Sequence, residues 1–317
     1  MIRIAIVGLG GVGGFIGGLL AHKYKNSGNI EITFICRGEH KKRIQETGLQ
    51  LETKHENFLV NPHLITDDPI GLGYFDIILF CTKSYHLNES LILLKNNINK
   101  NTKLLSLSNG LDSYEKLKSA YPASEICKAC IYIVSRLIAP GIVKESGGFH
   151  NIFFGTQNGN QESLNPLEQI LVNANINAKY TSQIDQQIWE KFLFISPVAT
   201  LTSFLNKTIG EFCTESKNID TLFLLVEELK LLANQKGIPI SLDINDTILK
   251  RIKSLPKEAT SSMHSDFQNG NQTELESLTG YVVKLGKNLK IKTTNFEIMY
   301  EHLKSHKPSK IESWGFN

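Results

Sequence analysis

Gly8-Leu9-Gly10-Gly11-Val12-Gly13 stands between a short apolar run, residues 2–7, and residues 15–24, which have helical apolar spacing. No other feature constrains the fold as tightly. In a Gly-x-Gly-x-x-Gly turn that leaves a strand and opens a helix, the first glycine permits the tight bend and the second lets a diphosphate approach the backbone. The third lets helix and strand pack closely. The free N–H groups and the positive end of the helix then attract phosphate. Gly8, Leu9, Gly10, Gly11, Val12 and Gly13 are therefore the expected dinucleotide cradle.

The segments that follow repeat the alternation. Residues 30–36 read as a second strand, 76–81 as a buried strand, 87–98 as a helix, 103–108 as a strand ending at Asn109-Gly110, and 126–134 as another strand. Strand and helix in alternation predict a parallel doubly wound sheet. Near residue 184 the texture changes to 3.6-residue apolar periodicity, clearest over 184–205, 222–235 and 274–289, with Pro197 inside the first and Gly237 as a stop for the second. A chain of 317 residues is long enough for two domains. The expected class is α/β: an N-terminal Rossmann-type dinucleotide-binding domain over 1–182, then an all-helical C-terminal domain over 183–317 with no repeat or low-complexity linker.

Charge and cysteine usage narrow the partners. Lys+Arg 34 against Asp+Glu 31 leaves an excess of +3, all of it in the first 182 residues. That excess is too small for a protein that neutralises many nucleic-acid phosphates, and no long basic run offers a membrane anchor. Nothing at the N-terminus reads as a signal peptide, no apolar run comes near 18 residues, and five cysteines are an odd number, so free thiols and a cytoplasmic setting are expected. Cys127 and Cys130 match C-x-x-C, but on a strand residues three apart point to opposite faces. His302 and His306 stand at i, i+4 without an H-E-x-x-H pattern, and no metal site is expected. The stretch 222–232 is apolar enough for a domain core or an interface, which leaves a homodimer open.

The end of the second strand bears on the cofactor. An NAD site usually carries Asp or Glu there to hold the ribose 2′-hydroxyl. Here Cys36-Arg37-Gly38 is followed by Lys41-Lys42-Arg43, and a guanidinium suits a 2′-phosphate, so NADPH is the expected cofactor.

With these motifs in place, the chain resembles the ketopantoate reductase (2-dehydropantoate 2-reductase) family from residue 1 to about 304. The resemblance rests on the glycine turn, the Arg37 turn, Cys81-Thr82-Lys83, Ser108-Asn109-Gly110, Trp189-Glu190-Lys191, and Ser261-Ser262-Met263 followed by Thr273-Glu274. It implies NADPH-dependent reduction of a small 2-oxo acid to a 2-hydroxy acid, in the family a step towards pantothenate. It also makes Lys191 the proton donor, with Asn109 orienting it or the substrate. Glu274 would meet the substrate's hydroxyl end, Ser262 would hold its carboxylate or neighbouring cofactor groups, and Arg37 and Lys83 would lie by the adenosine phosphate. Taken alone, each residue also has a structural reading: Lys191 as a helix-surface lysine, Asn109 as a turn residue, Glu274 as a helix-dipole acid, Ser261-Ser262 as caps and Lys83 as a solvated lysine.

Two positions depart from the family pattern. Ile195 and Ala199 stand where it has asparagines one and two turns after the lysine, and Ser196, Thr200 and Thr202 are the polar groups nearby. A site stripped of hydrogen-bonding groups accepts a different substrate. Two alternatives follow: the same fold acting on another oxo acid, and a non-catalytic NADPH-binding sensor.

Overall fold

The computed structural model describes residues 1–157, 159 and 161–305. His306, the second imidazole of the i, i+4 pair, lies outside them. Contacts divide the chain into two units, residues 1–108 with 113–184 and residues 109–112 with those from 185 onward.

The first unit is built on one sheet: β1 (Ile2–Val7), β2 (Ile30–Ile35), β3 (Leu49–Glu52), β4 (Asn57–Val60), β5 (Leu64–Thr66), β6 (Ile77–Phe80), β7 (Lys103–Ser106), β8 (Glu125–Ala139), β9 (Ile142–Gly155) and β10 (Ala178–Tyr180). The order is β4-β3-β9-β8-β7-β6-β1-β2-β5, with β10 beside β9. From β5 to β8 every pairing is parallel. β1 has β2 on one side and β6 on the other, so its C-terminal end is the switch point at which open α/β sheets bind ligands. The strand is buried on both faces: Ile4 and Ile6 enter one core cluster, with Leu79 and Leu105, while Ala5 and Val7 enter a second with Phe80 and Leu104.

The expectation of a parallel sheet holds from β5 to β8 and is corrected beyond it. β8 and β9 pair antiparallel, as do β3 and β4. Ala139 pairs with Ile142 across the two-residue turn Pro140-Gly141, and Gly141 adopts φ +79°. Strands joined so tightly cannot run parallel, which requires a crossover of a dozen or more residues. β8 is also longer than the nine residues expected. Cys127 and Cys130 both lie on it and both are buried. The helix expected over 87–98 ends at Leu93, after a 3-10 turn Ser84–His86, and the chain turns through Leu94–Ile98 with Asn97 N–H donating to the Leu94 carbonyl.

The second unit is helical: Ile184–Leu205, Ile209–Cys213, Ser216–Gln235, Ile244–Ser254, Ser262–Gln268, Tyr281–Leu289 and Thr294–Ser305. Its core includes Phe192, Leu193, Leu225, Leu229 and Phe296. Gly237, at φ +68°, ends helix Ser216–Gln235, and Ile238 N–H reaches back to the Ala233 carbonyl. The helix expected over 274–289 begins instead with a π-helical turn, Glu276–Gly280. Among the described residues, helix Ile184–Leu205 is long and apolar enough by composition to cross a membrane: an 18-residue window within it has mean hydropathy 1.2, and 61% of that window is buried inside the protein. Its serines, threonines and proline interrupt the run to the eye without adding charge.

Candidate active site

At the end of β1 the three glycines have distinct surroundings. Gly8 adopts φ +87° and has Thr82 against it, where a Cβ would meet Thr82 Cγ2 at 2.7 Å. A Cβ on Gly13 would lie 1.9 Å from the Gly8 carbonyl oxygen and 2.8 Å from Cys81 Cβ, so only glycine lets the helix close onto the strand. Gly10 has nothing within 4 Å of its would-be Cβ. The first helical bond of Gly11–Tyr24 runs from Gly14 N–H to the Gly10 carbonyl at 2.7 Å. The N–H groups of Gly11, Val12 and Gly13 therefore precede it, and neither a side-chain cap nor an acid occupies the first turn. Open space, unspent N–H donors and the positive helix end together fit a dinucleotide diphosphate.

β2 leads into Cys36 and Arg37. Cys36 is buried, and burial pushes its thiol up to about 12, with Lys41 opposing the shift and Asp67 adding to it. Arg37 precedes helix Gly38–Thr47 in an extended conformation and does not cap it. Burial holds the His86 imidazole below the ordinary histidine range, and the Arg37 guanidinium adds to that depression, so Arg37 lies within electrostatic reach of the turn that follows Lys83. Lys83 and Arg37 are both half-buried. One charged group was missed by sequence reasoning: Asp67, whose carboxylate takes the Lys41 ammonium at 2.6 Å. It follows β5, which pairs in parallel with β2, and only that pairing reveals its place beside Cys36.

In the second unit, Lys191 is 7% exposed and its Nζ donates to Asn109 Oδ1 at 2.9 Å, a pairing across 82 positions. The strand expected to reach Ser108 stops at Ser106, and Asn109 sits in the bend beyond it. Trp189 and Phe192 beside the lysine are core residues, while Glu190 accepts the Ser241 N–H and hydroxyl and a Gln186 amide. The three residues of the Trp-Glu-Lys motif thus divide between core, loop anchor and Asn109. Glu274 is 3% exposed and its carbonyl accepts the Leu278 N–H as the π-helical turn begins. A Cβ on Gly110 would sit 3.3 Å from Ser277 Cβ, so the Asn109-Gly110 bend rests against that same turn. Ser261 is the N-cap of helix Ser262–Gln268, its hydroxyl accepting the His264 N–H at 3.0 Å, and Ser262 stands exposed at the helix's first position.

The hydroxyls near the two departing positions are already committed. Ser196 Oγ donates to the Leu278 carbonyl at 2.7 Å, Thr200 and Thr279 share a 2.8 Å hydrogen bond, and Thr202 bonds the Val198 carbonyl and Ser261 Oγ. They tie helix Ile184–Leu205 to the π-helical turn and to the Ser261 cap. Ala199 is buried and Ile195 is half-buried.

Comparison with known proteins draws these features together. The sequence pattern of Ketopantoate reductase PanE/ApbA matches residues 4–159, and that of its C-terminal region matches 183–307. The uncharacterized oxidoreductase YkpB of Bacillus subtilis is 26% identical over 310 residues, spanning 98% of this chain and 100% of that one. The crystal structure of 2-dehydropantoate 2-reductase from Porphyromonas gingivalis superposes with a TM-score of 0.82 at 32% identity, covering 96% of this chain and 99% of that one. A D-mandelate dehydrogenase solved with NADH and anilino(oxo)acetate has the same fold, with a TM-score of 0.85 at 21% identity over 96% and 98% of the two chains. Both halves of the sequence match one family's patterns in order, and the chain is an oxidoreductase that belongs to the ketopantoate reductase family.

Proposed function

We propose that the protein reduces a 2-oxo acid to the 2-hydroxy acid with NADPH, ketopantoate to pantoate being the family's reaction. The observation that carries this reading is the buried Lys191 ammonium held by Asn109 Oδ1. NADPH, when bound, supplies the hydride that reaches the carbonyl carbon. Gly8, Leu9, Gly10, Gly11, Val12 and Gly13 hold the diphosphate with backbone N–H groups, and Arg37 with Lys83 binds the adenosine phosphate. Lys191 donates a hydrogen bond and then a proton to the carbonyl oxygen as negative charge develops there, which lowers the barrier by electrostatics and by proton transfer. Asn109 fixes the direction of the ammonium by accepting one of its hydrogens. Glu274 and Ser262 bind the two ends of the oxo acid.

A second reading within the same chemistry changes the substrate. Ile195 has no hydrogen-bonding group, and Ser196, Thr200 and Thr202 are spent on protein partners. An oxo acid with an apolar branched or aromatic side chain suits that surface better than one with a hydroxyl. The test is purified protein with NADPH and a panel of branched, hydroxylated and aromatic 2-oxo acids, followed at the NADPH absorbance band. Turnover well above a Lys191→Ala control supports the reductase, and the ranking of rates separates ketopantoate from an apolar substrate. Tight NADPH binding without turnover of any oxo acid would replace the reductase with the sensor.

A further inference from the structure

We propose that Asp67, paired with Lys41, sets the choice between NADPH and NADH at the Arg37 turn. The inference rests on the reading that this turn receives the 2′ position of the adenosine ribose. β5 pairs in parallel with β2, Ile35 opposite Thr66, and Cys36 N–H donates to the Thr66 carbonyl at 3.1 Å. The two chains therefore leave the sheet side by side, and Asp67 stands next to Cys36, one residue before Arg37. A carboxylate is thus present where NAD sites usually carry one, supplied by the neighbouring strand rather than by β2 itself.

Lys41 modifies what that carboxylate can do. Its Nζ lies 2.6 Å from Asp67 Oδ1, the Asp67 side chain is 46% exposed, and the Lys41 hydrogen bond holds the carboxyl below the usual carboxylate range. Asp67 is therefore charged at neutral pH and open to a ligand. A ribose 2′-hydroxyl is a donor that Asp67 can accept, whereas a 2′-phosphate brings about two negative charges that Asp67 repels and Lys41 attracts. As a pair the two charges largely offset each other and Arg37 tips the site towards phosphate. Removing either partner tips it further, in opposite directions.

The experiment titrates NADPH and NADH separately into wild type, Asp67→Asn, Lys41→Gln and Arg37→Ala, reading affinity by nicotinamide fluorescence, with melting curves to confirm folding. In Asp67→Asn, NADPH binds more tightly and NADH more weakly, moving the ratio of dissociation constants by roughly tenfold. In Lys41→Gln the ratio moves the opposite way. Ratios unchanged in both variants, or shifted in the same direction, overturn the proposal while the Arg37 reading stands on a selective loss of NADPH in Arg37→Ala. An equal loss of both cofactors in Arg37→Ala overturns the reading of the turn, and the proposal with it.

Discussion

The glycine turn of the first unit and the Lys191–Asn109 pair of the second place opposite demands on a sequence. In the proposed function the backbone of the turn does the binding, and each position is specified by what cannot be there: a Cβ at Gly13 would lie 1.9 Å from the Gly8 carbonyl, while a Cβ at Gly10 would meet nothing within 4 Å and would take up space proposed for the ligand. At the pair the proposed work falls to a side chain, and it is specified by what must be there, an ammonium and an amide oxygen brought together from 82 positions apart. The first kind of site tolerates almost any side chains around it. On the proposed function the second is expected to fail on a single substitution that leaves the fold intact.

That contrast can be broken in the second unit first. Lys191→Ala is expected to lower turnover by about 10²–10⁴-fold, the range for losing a general acid, with NADPH affinity unchanged in a fluorescence titration. If NADPH affinity falls in step with turnover, the lysine serves cofactor binding and the division between regions is wrong. In the first unit, Gly13→Ala should cost about 3 kcal/mol of stability by overpacking, read from chemical denaturation, because the Gly8 carbonyl is backbone and cannot swing aside. Gly10→Ala, with nothing within 4 Å, should melt with the wild type yet bind NADPH more weakly. If Gly10→Ala binds NADPH normally, the open space at that glycine has no part in the site.

Arg37→Ala sharpens the cofactor side. It should weaken NADPH binding by about 1.5–3 kcal/mol more than NADH binding, the range for hydrogen bonds to charged groups. The smallest effect is a pH dependence in the second unit. His264 is buried, with one ring nitrogen on Thr260 and the other on Asn206, and burial lowers its pKa from the ordinary 6.5. The unfolded chain then takes up a proton at a higher pH than the native one, so the His264 contribution is present above pH 6.5 and is lost as pH falls towards the folded value. Melting temperatures between pH 7.5 and 5 should decline less steeply in His264→Gln than in wild type.

How much was legible follows from the same contrast. The glycine turn and the bounds of helix Ile184–Leu205 were readable because their spacing is local: one repeats a conformational requirement, the other a period of 3.6. The antiparallel β8–β9 hairpin was missed because pairing direction depends on a partner the strand does not name, although Pro140-Gly141 was a usable turn signal. The helix beginning at Leu87 was read too long because Ile98 continues the apolar spacing, yet it turns into the core after Leu94. The π-helical turn at 276–280 has no period of its own in sequence, and the hydroxyls of Ser196 and Thr200 that meet it could not be assigned partners without it. Asp67 reached the Arg37 turn only through the register of β5 on β2. Lys191, Asn109 and Glu274 stood out only through resemblance, since each alone is an ordinary surface, turn or cap residue.

In the proposed function this chain moves a hydride from NADPH to the carbonyl carbon of an oxo acid, with Lys191 supplying the proton. NADPH carrying deuterium at both C4 positions of the nicotinamide, incubated with the protein and the best substrate of the oxo-acid panel in ordinary water, gives a product whose C2 can be read by NMR. The account predicts deuterium at C2 of a 2-hydroxy acid, at a rate that collapses in Lys191→Ala. No deuterated hydroxy acid, or a hydroxy acid carrying only ordinary hydrogen at C2, would contradict it.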